Sequence, residues 1–283
     1  MDLKLAVESA EYQLKQILER FFITHYDENS LPSHGIDHHR RVWRNARDLF
    51  LCLAEDNRVD DLSLPLKLIV ASYLHDIGMS VDRGVKHGRH SRELCNRFLI
   101  ENNLGFTEFE KVLDAIENHD NKEYKTIARN HDLLTILSVA DDMDAFGFSG
   151  IFRYAEIYLA RGIEIRNLGN LIKENAAVRF ENFINTFGFL QELVLKQRIR
   201  YKTLEDFYDK YNSLSPSYEF SFQKPYGYCG VIEIFVMMLN EKKSLNDTIE
   251  ENRFHPTDPV ISWFFNGLAG ELFSDLTPLN TKK

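Results

Sequence analysis

The sequence predicts an all-α protein, and three observations carry that expectation. Apolar residues recur at intervals of three and four along most of the chain. Proline is rare, seven in 283 residues, so long stretches run without a helix breaker. Strand signals are weak throughout. The length suits one large domain or two small ones and is enough to bury a sizeable core.

The elements follow in order. Leu3, Leu5, Ala6, Ala10, Leu14, Leu18, Phe21 and Phe22 set an apolar stripe on a first helix. Pro32 and Gly35 mark a loop. A second helix starts near Asp37, its expected N-cap, and a third spans 63–76 with Ser63 as cap and Pro65 in its first turn. Gly78 favours termination there. Residues 81–88 read as a loop, 89–103 as a fourth helix, 108–120 as a fifth capped by Thr107, and 133–146 as a sixth. Further on, 151–163 is amphipathic and about 168–200 is free of proline. Residues 201–225, rich in Tyr, Ser and Pro, are expected to be irregular. The apolar run from Val231 suits a buried strand or a helix equally, and a last helix is expected at 259–273.

Bulk properties exclude several function classes. A net charge of −9 argues against general nucleic-acid binding and against charge-driven membrane binding. The N-terminal segment is charged throughout, unlike a secretory signal, and no run reaches the roughly 18 apolar residues of a membrane span. Three widely spaced cysteines, Cys52, Cys95 and Cys229, form neither a disulfide framework nor a Cys zinc site and suit a reducing cytoplasm.

The chemistry is concentrated at helix ends. His75 and Asp76 close the apolar run Leu66–Leu74, where both are costly to desolvate without a partner. A divalent cation is one such partner, and a local hydrogen bond at the helix end is another. His38, His87, His119 and Asp141 lie at or near the ends of other helices. With His75 and Asp76 they make an N/O ligand set suited to Mn, Fe, Co, Ni or Zn. Asp141 is four residues after Leu137, which aims it inward. Asp142 is turned about 100° away and is expected to be exposed. Asp144, one turn after Asp141, could hold a ligand histidine or an arginine.

These residues resemble the HD-domain superfamily of metal-dependent phosphohydrolases. His38 in HHRRV is similar to the family's H-x-x-R-V, His75-Asp76 stand in LHDIG, and Asp141 in ADDMDA is similar to A-D-x-x-D-A. The pattern covers residues 34–150. The resemblance implies an HD-domain helical bundle at 1–165, with a helical C-terminal extension at 166–283 of unassigned role. His87, four residues before Ser91, and His119 in AIENHD resemble the further histidines of the binuclear branch. That branch includes HD-GYP cyclic-di-GMP phosphodiesterases and HD-type diadenosine tetraphosphate hydrolases. There are departures: Met79 stands where lysine is common, a G-Y-P signature is lacking, and Asp120 rather than histidine follows His119. The stretch DAFGFSGIFRY is similar instead to nucleotide pyrophosphohydrolases with one metal. One ion or two therefore stays open.

The resemblance implies hydrolysis of a phosphoester or phosphoanhydride, with a small phosphorylated, nucleotide-type substrate and a divalent transition metal. His38, His75, Asp76 and Asp141 would hold one ion, and Asp76 would bridge to a second at His87 and His119. His75, Asp76 and Arg41 are the candidate catalytic residues, although Arg41 could equally clamp Asp144. Arg83, Lys86, Arg89 and Arg153 are candidates for gripping phosphate, the first three from the loop around His87. Two alternatives stand beside this one: a cyclic-nucleotide or dinucleotide phosphodiesterase, and a non-catalytic nucleotide or metal sensor or scaffold. A homodimer through the apolar stretches VIEIFVMML and VISWFF is also open.

Overall fold

The computed structural model describes residues 2–26, 31–120 and 131–273, and among them it is all-α, with twelve α-helices and no strand. The helices are α1 Leu3–His25, α2 Ile36–Glu55, α3 Leu64–Leu74, α4 His87–Glu101, α5 Phe106–Asn118, α6 Leu133–Asp144, α7 Gly147–Ala160, α8 Leu168–Phe187, α9 Gln191–Leu214, α10 Gly227–Glu241, α11 Leu245–Asn252 and α12 Pro259–Phe273. Among the described residues no helix is long and apolar enough to cross a membrane. Cys52, Cys95 and Cys229 are free thiols.

The chain forms two compact units. The first comprises Met1–Asp144 and Arg179–Val194, the second Ala145–Val178 and Leu195–Lys283. In the first unit α3 is apolar nearly all round, with Lys67 its one charged side chain, as suits a helix largely enclosed by others. It packs against α1, α2, α4, α5 and α6. Burial of Leu68, Ile69, Leu74, Leu18, Phe22, Leu49, Phe98, Ile116 and Ile136 around it stabilises the unit, at roughly 1.5–3 kcal/mol for each large side chain. Because α3 is central, the residues at its C-terminal end lie deep in the unit.

In the second unit α7, α10, α11 and α12 pack together. Phe235 meets Phe152 and Phe264 edge to face, with ring centres 5.0 and 5.5 Å apart. The loop after α9 is pinned by the buried Glu233, whose carboxylate accepts bonds from Tyr218 O–H and Phe222 N–H.

Several boundaries differ from those expected. Helix α2 starts at Ile36 behind Gly35, and Asp37 lies in its first turn, where the helix dipole favours an acid. Ser63 precedes α3 but makes no cap bond; its N–H and hydroxyl donate to Asp61 Oδ1 instead. Helix α5 starts behind Gly105, not Thr107. Residues 201–214, expected to be irregular, continue α9. Their Leu204, Phe207, Tyr208 and Tyr211 recur at helical spacing and are all fully buried. The run from Val231 is helical, in α10. Helix α11 was unforeseen, although Ser244 caps it by accepting from Asp247 N–H. The units divide at residue 144 rather than 165. The buried face of α7, with Ile151, Phe152 and Ala155, belongs to the second core, and Phe183, Phe187, Leu193 and Val194 return to the first.

Candidate metal centre

Five helix ends and one turn converge in the first unit. His38 is in the first turn of α2, and His75 caps the C-terminus of α3. Asp76 opens the 3-10 turn Ile77–Ser80. His87 is the first residue of α4, not a loop residue as expected, and His119 caps the C-terminus of α5. Asp141 is on the last turn of α6. All six side chains are buried. The turn and α4 are held together closely: Gly78 N–H donates to Ser91 Oγ at 2.9 Å. A Cβ on Gly78 would lie 2.3 Å from the His87 carbonyl oxygen, so the backbones meet where only glycine fits.

Each candidate ligand histidine has its Nδ1 committed. His75 donates to Ser72 O (3.0 Å), His87 to Gly84 O (2.6 Å) and His119 to Ile116 O (2.7 Å), in every case the carbonyl three residues earlier. His38 donates to Asp144 Oδ2 (2.8 Å). A carbonyl or carboxylate can only accept, so Nδ1 carries the proton and Nε2 is the nitrogen turned to the site. Asp144 also takes two bonds from Arg41, Nε to Oδ1 at 2.7 Å and Nη2 to Oδ2 at 3.0 Å. Arg41 thus clamps the carboxylate that orients His38. This is the clamp that the sequence offered as the alternative to a catalytic role for Arg41.

The six predicted ligands form two overlapping groups able to hold an ion, His38, His75, Asp76 and Asp141 in one and Asp76, His87 and His119 in the other. In the first, Nε2 of His38 lies 3.7 Å from Asp76 Oδ2 and 3.6 Å from Asp141 Oδ1. Nε2 of His75 lies 3.6 and 3.8 Å from the same two oxygens. In the second, Asp76 Oδ1 is 3.4 Å from His87 Nε2 and 3.0 Å from His119 Nε2. Asp76 therefore turns one oxygen to each group. The donors suit a divalent transition ion, and one contact calls for a cation. Nε2 of His38 and Nε2 of His75 are 3.3 Å apart. With both Nδ1 atoms protonated, two lone pairs face each other there unless a proton or a metal lies between. Burial, the largest influence on His75, disfavours its protonation and lowers its pKa.

Asp76 is a stable anion. Burial alone would raise its pKa, but the neighbouring His75 and the hydrogen bond from His119 outweigh that and hold it well below the usual carboxylate range. His39 is a core histidine. Its Nδ1 shares the Ser72 carbonyl, its ring lies against Phe22, and burial keeps it neutral.

His34, which the sequence left undecided between the site entrance and no role, is buried with Nε2 3.9 Å from Asp76 Oδ2. Two features escaped the sequence. Asp142, expected to be exposed, is buried. Its partner is Arg179 of α8, whose Nη1 lies 2.6 Å from Asp142 Oδ1 and 3.3 Å from Asp141 Oδ2. Nothing local marks Arg179, which lies far along the chain in an ordinary amphipathic helix. Of the predicted phosphate-binding residues, Arg83 and Lys86 are exposed on the segment leading to His87, and Arg89 is exposed one turn into α4, paired with Glu93. Arg153 is buried on α7 in the second unit, and its expected role rests on the sequence alone.

The HD-domain family model matches residues 35–145. This segment is an HD domain. The match spans His38 to Asp141 and so contains all six candidate ligands of the two groups. HD domains are generally metal-dependent hydrolases, and the buried His/Asp cluster could hold a metal ion. No curated protein and no solved structure matches the chain.

Proposed function

We propose that this HD-domain protein is a metal-dependent phosphohydrolase that cleaves a phosphoester or phosphoanhydride bond in a nucleotide-type substrate. The observation that carries the reading is the pair of ligand groups sharing Asp76, one oxygen turned to each. His38, His75, Asp76 and Asp141 would hold one divalent transition ion, and Asp76, His87 and His119 a second. Such ions lower the pKa of bound water and polarise a phosphoryl oxygen.

The chain's own residues do the rest. Asp144 keeps His38 in the tautomer that presents Nε2, and Arg41 keeps Asp144 in place. The i−3 carbonyls do the same for His75, His87 and His119. Arg83, Lys86 and Arg89 are the choice for a phosphate-gripping rim, being exposed around His87. Phosphate brings its own negative charge, so a protein of net charge −9 needs such local cations at the site.

The test is metal analysis of the purified protein, followed by a screen of nucleoside phosphates, cyclic nucleotides, dinucleotides and simple phosphoesters with Mn. Turnover on at least one class is expected. Asp76→Ala should lose more than the roughly 10–100-fold that removal of a supporting residue costs, with its helical circular dichroism kept. Full activity in that variant would overturn the reading. Bound metal without turnover on any class would favour a sensor instead.

A further inference from the structure

Arg179 is placed to act on the metal centre through a carboxylate. It lies on α8, at the start of the segment Arg179–Val194 that rejoins the first unit. Its Nη1 sits between Asp142 Oδ1 (2.6 Å) and Asp141 Oδ2 (3.3 Å), and Nη2 lies 3.8 Å from Asp120 Oδ1. The side chain is 19% exposed, and those of Asp141 and Asp142 are 9% and 8% exposed. Two adjacent carboxylates buried this far need a nearby cation.

The two oxygens of Asp141 have different neighbours. Oδ2 faces Arg179, while Oδ1 faces Nε2 of His38 and of His75. A carboxylate held at one oxygen cannot rotate freely about its last bond, so the other oxygen stays aimed at the histidines. Asp142 in turn holds the guanidinium at the shorter distance. This is a second orienting chain, separate from the one in which Arg41 and Asp144 fix His38.

We propose that Arg179 is a positioning residue for Asp141, anchored by Asp142, and that it sets the affinity and geometry of the ion held by His38, His75, Asp76 and Asp141. The proposal rests on the metal-binding reading of the site. It gives the segment after residue 178 a part in the centre.

The test uses the full chain loaded with cobalt(II), whose visible absorption reports coordination geometry. Cobalt affinity and spectrum are measured for the wild type, Arg179→Gln and Arg179→Lys. Arg179→Gln should bind the first ion about 10–100-fold more weakly, the usual effect of losing a supporting partner, and shift the spectrum. Arg179→Lys keeps the charge but not the fork, so it should fall between the two and is the deciding variant if Arg179→Gln does not fold. Affinity at Asp76, His87 and His119 should be unchanged. Wild-type affinity and spectrum in both variants would overturn the proposal alone. An equal loss at both ion positions would mean general loosening and would also overturn it. A wild type that binds no cobalt would remove the metal reading, and this proposal with it.

Discussion

His119 and Asp76 form a close pair in the centre, with Nε2 3.0 Å from Oδ1. Burial works against a proton on His119, but its hydrogen bond to Asp76 and the charges of Asp76, Asp120 and Asp141 outweigh it and push the pKa up to about 9. Without an ion the ring is therefore an imidazolium at neutral pH, donating from both nitrogens. An ion at Asp76, His87 and His119 needs the Nε2 lone pair that this proton covers, so loading releases the proton. Affinity for that ion should rise with pH and level off near 9. Calorimetry in two buffers of different ionisation enthalpy counts the protons, and a count of zero at pH 7 would contradict this. The sign for stability is opposite. A raised folded pKa stabilises the ion-free protein fully below about 6.5, and that contribution is lost as pH rises through about 9. At this scale the sequence was informative for His38, His75, Asp76 and Asp141, because each stands in a short local motif. It was silent on Arg179, whose role depends on a contact 38 residues back at Asp141.

At the scale of elements, the turn Ile77–Ser80 and the start of α4 are the sensitive joint. Gly78 has no room for a side chain, and the obstacles are backbone atoms: the His87 carbonyl oxygen at 2.3 Å and the Ser91 nitrogen at 2.5 Å. Gly78→Ala must push the first turn of α4 away and take His87 with it. The expected result is a folded protein that keeps the ion at His38, His75, Asp76 and Asp141 and loses the second, checked by counting metal per chain. Two ions per chain in this variant would refute the expectation. Element order was readable from apolar spacing as far as α6, where stripes of Leu, Val and Ile stand among charges. It was less so in α9, where tyrosines and phenylalanines form the buried face and resemble loop composition. In α10 an almost continuous apolar run gives no period to read.

At the scale of the molecule, the first unit is discontinuous in sequence. Phe183 and Phe187 are fully buried in its core although they follow the whole of α7 and half of α8. A chain ended at residue 165, the boundary suggested by the sequence, lacks both, along with Leu193, Val194 and Arg179. Removal of even one large core side chain typically costs about 3–5 kcal/mol, a sizeable part of the roughly 5–15 kcal/mol that holds a domain folded. That truncation should melt without a cooperative transition and be cleaved rapidly by protease, whereas a chain retaining residues 1–194 keeps the full apolar complement of the first core. A sharp thermal transition in the 1–165 chain would refute this. Sequence patterns placed the boundary by the end of a motif, and no local signal tells a helix that it belongs to an earlier core.

The same discontinuity sets a timetable during synthesis. When Asp144 leaves the ribosome, all six candidate metal ligands have been made, but the first core still lacks the side chains of Arg179–Val194. About 50 more residues must be added, roughly 3–10 s at ribosomal rates of about 5–20 residues per second. For that interval the nascent chain carries the whole candidate ligand set on an unfinished core, with apolar surface open to chaperones and to aggregation.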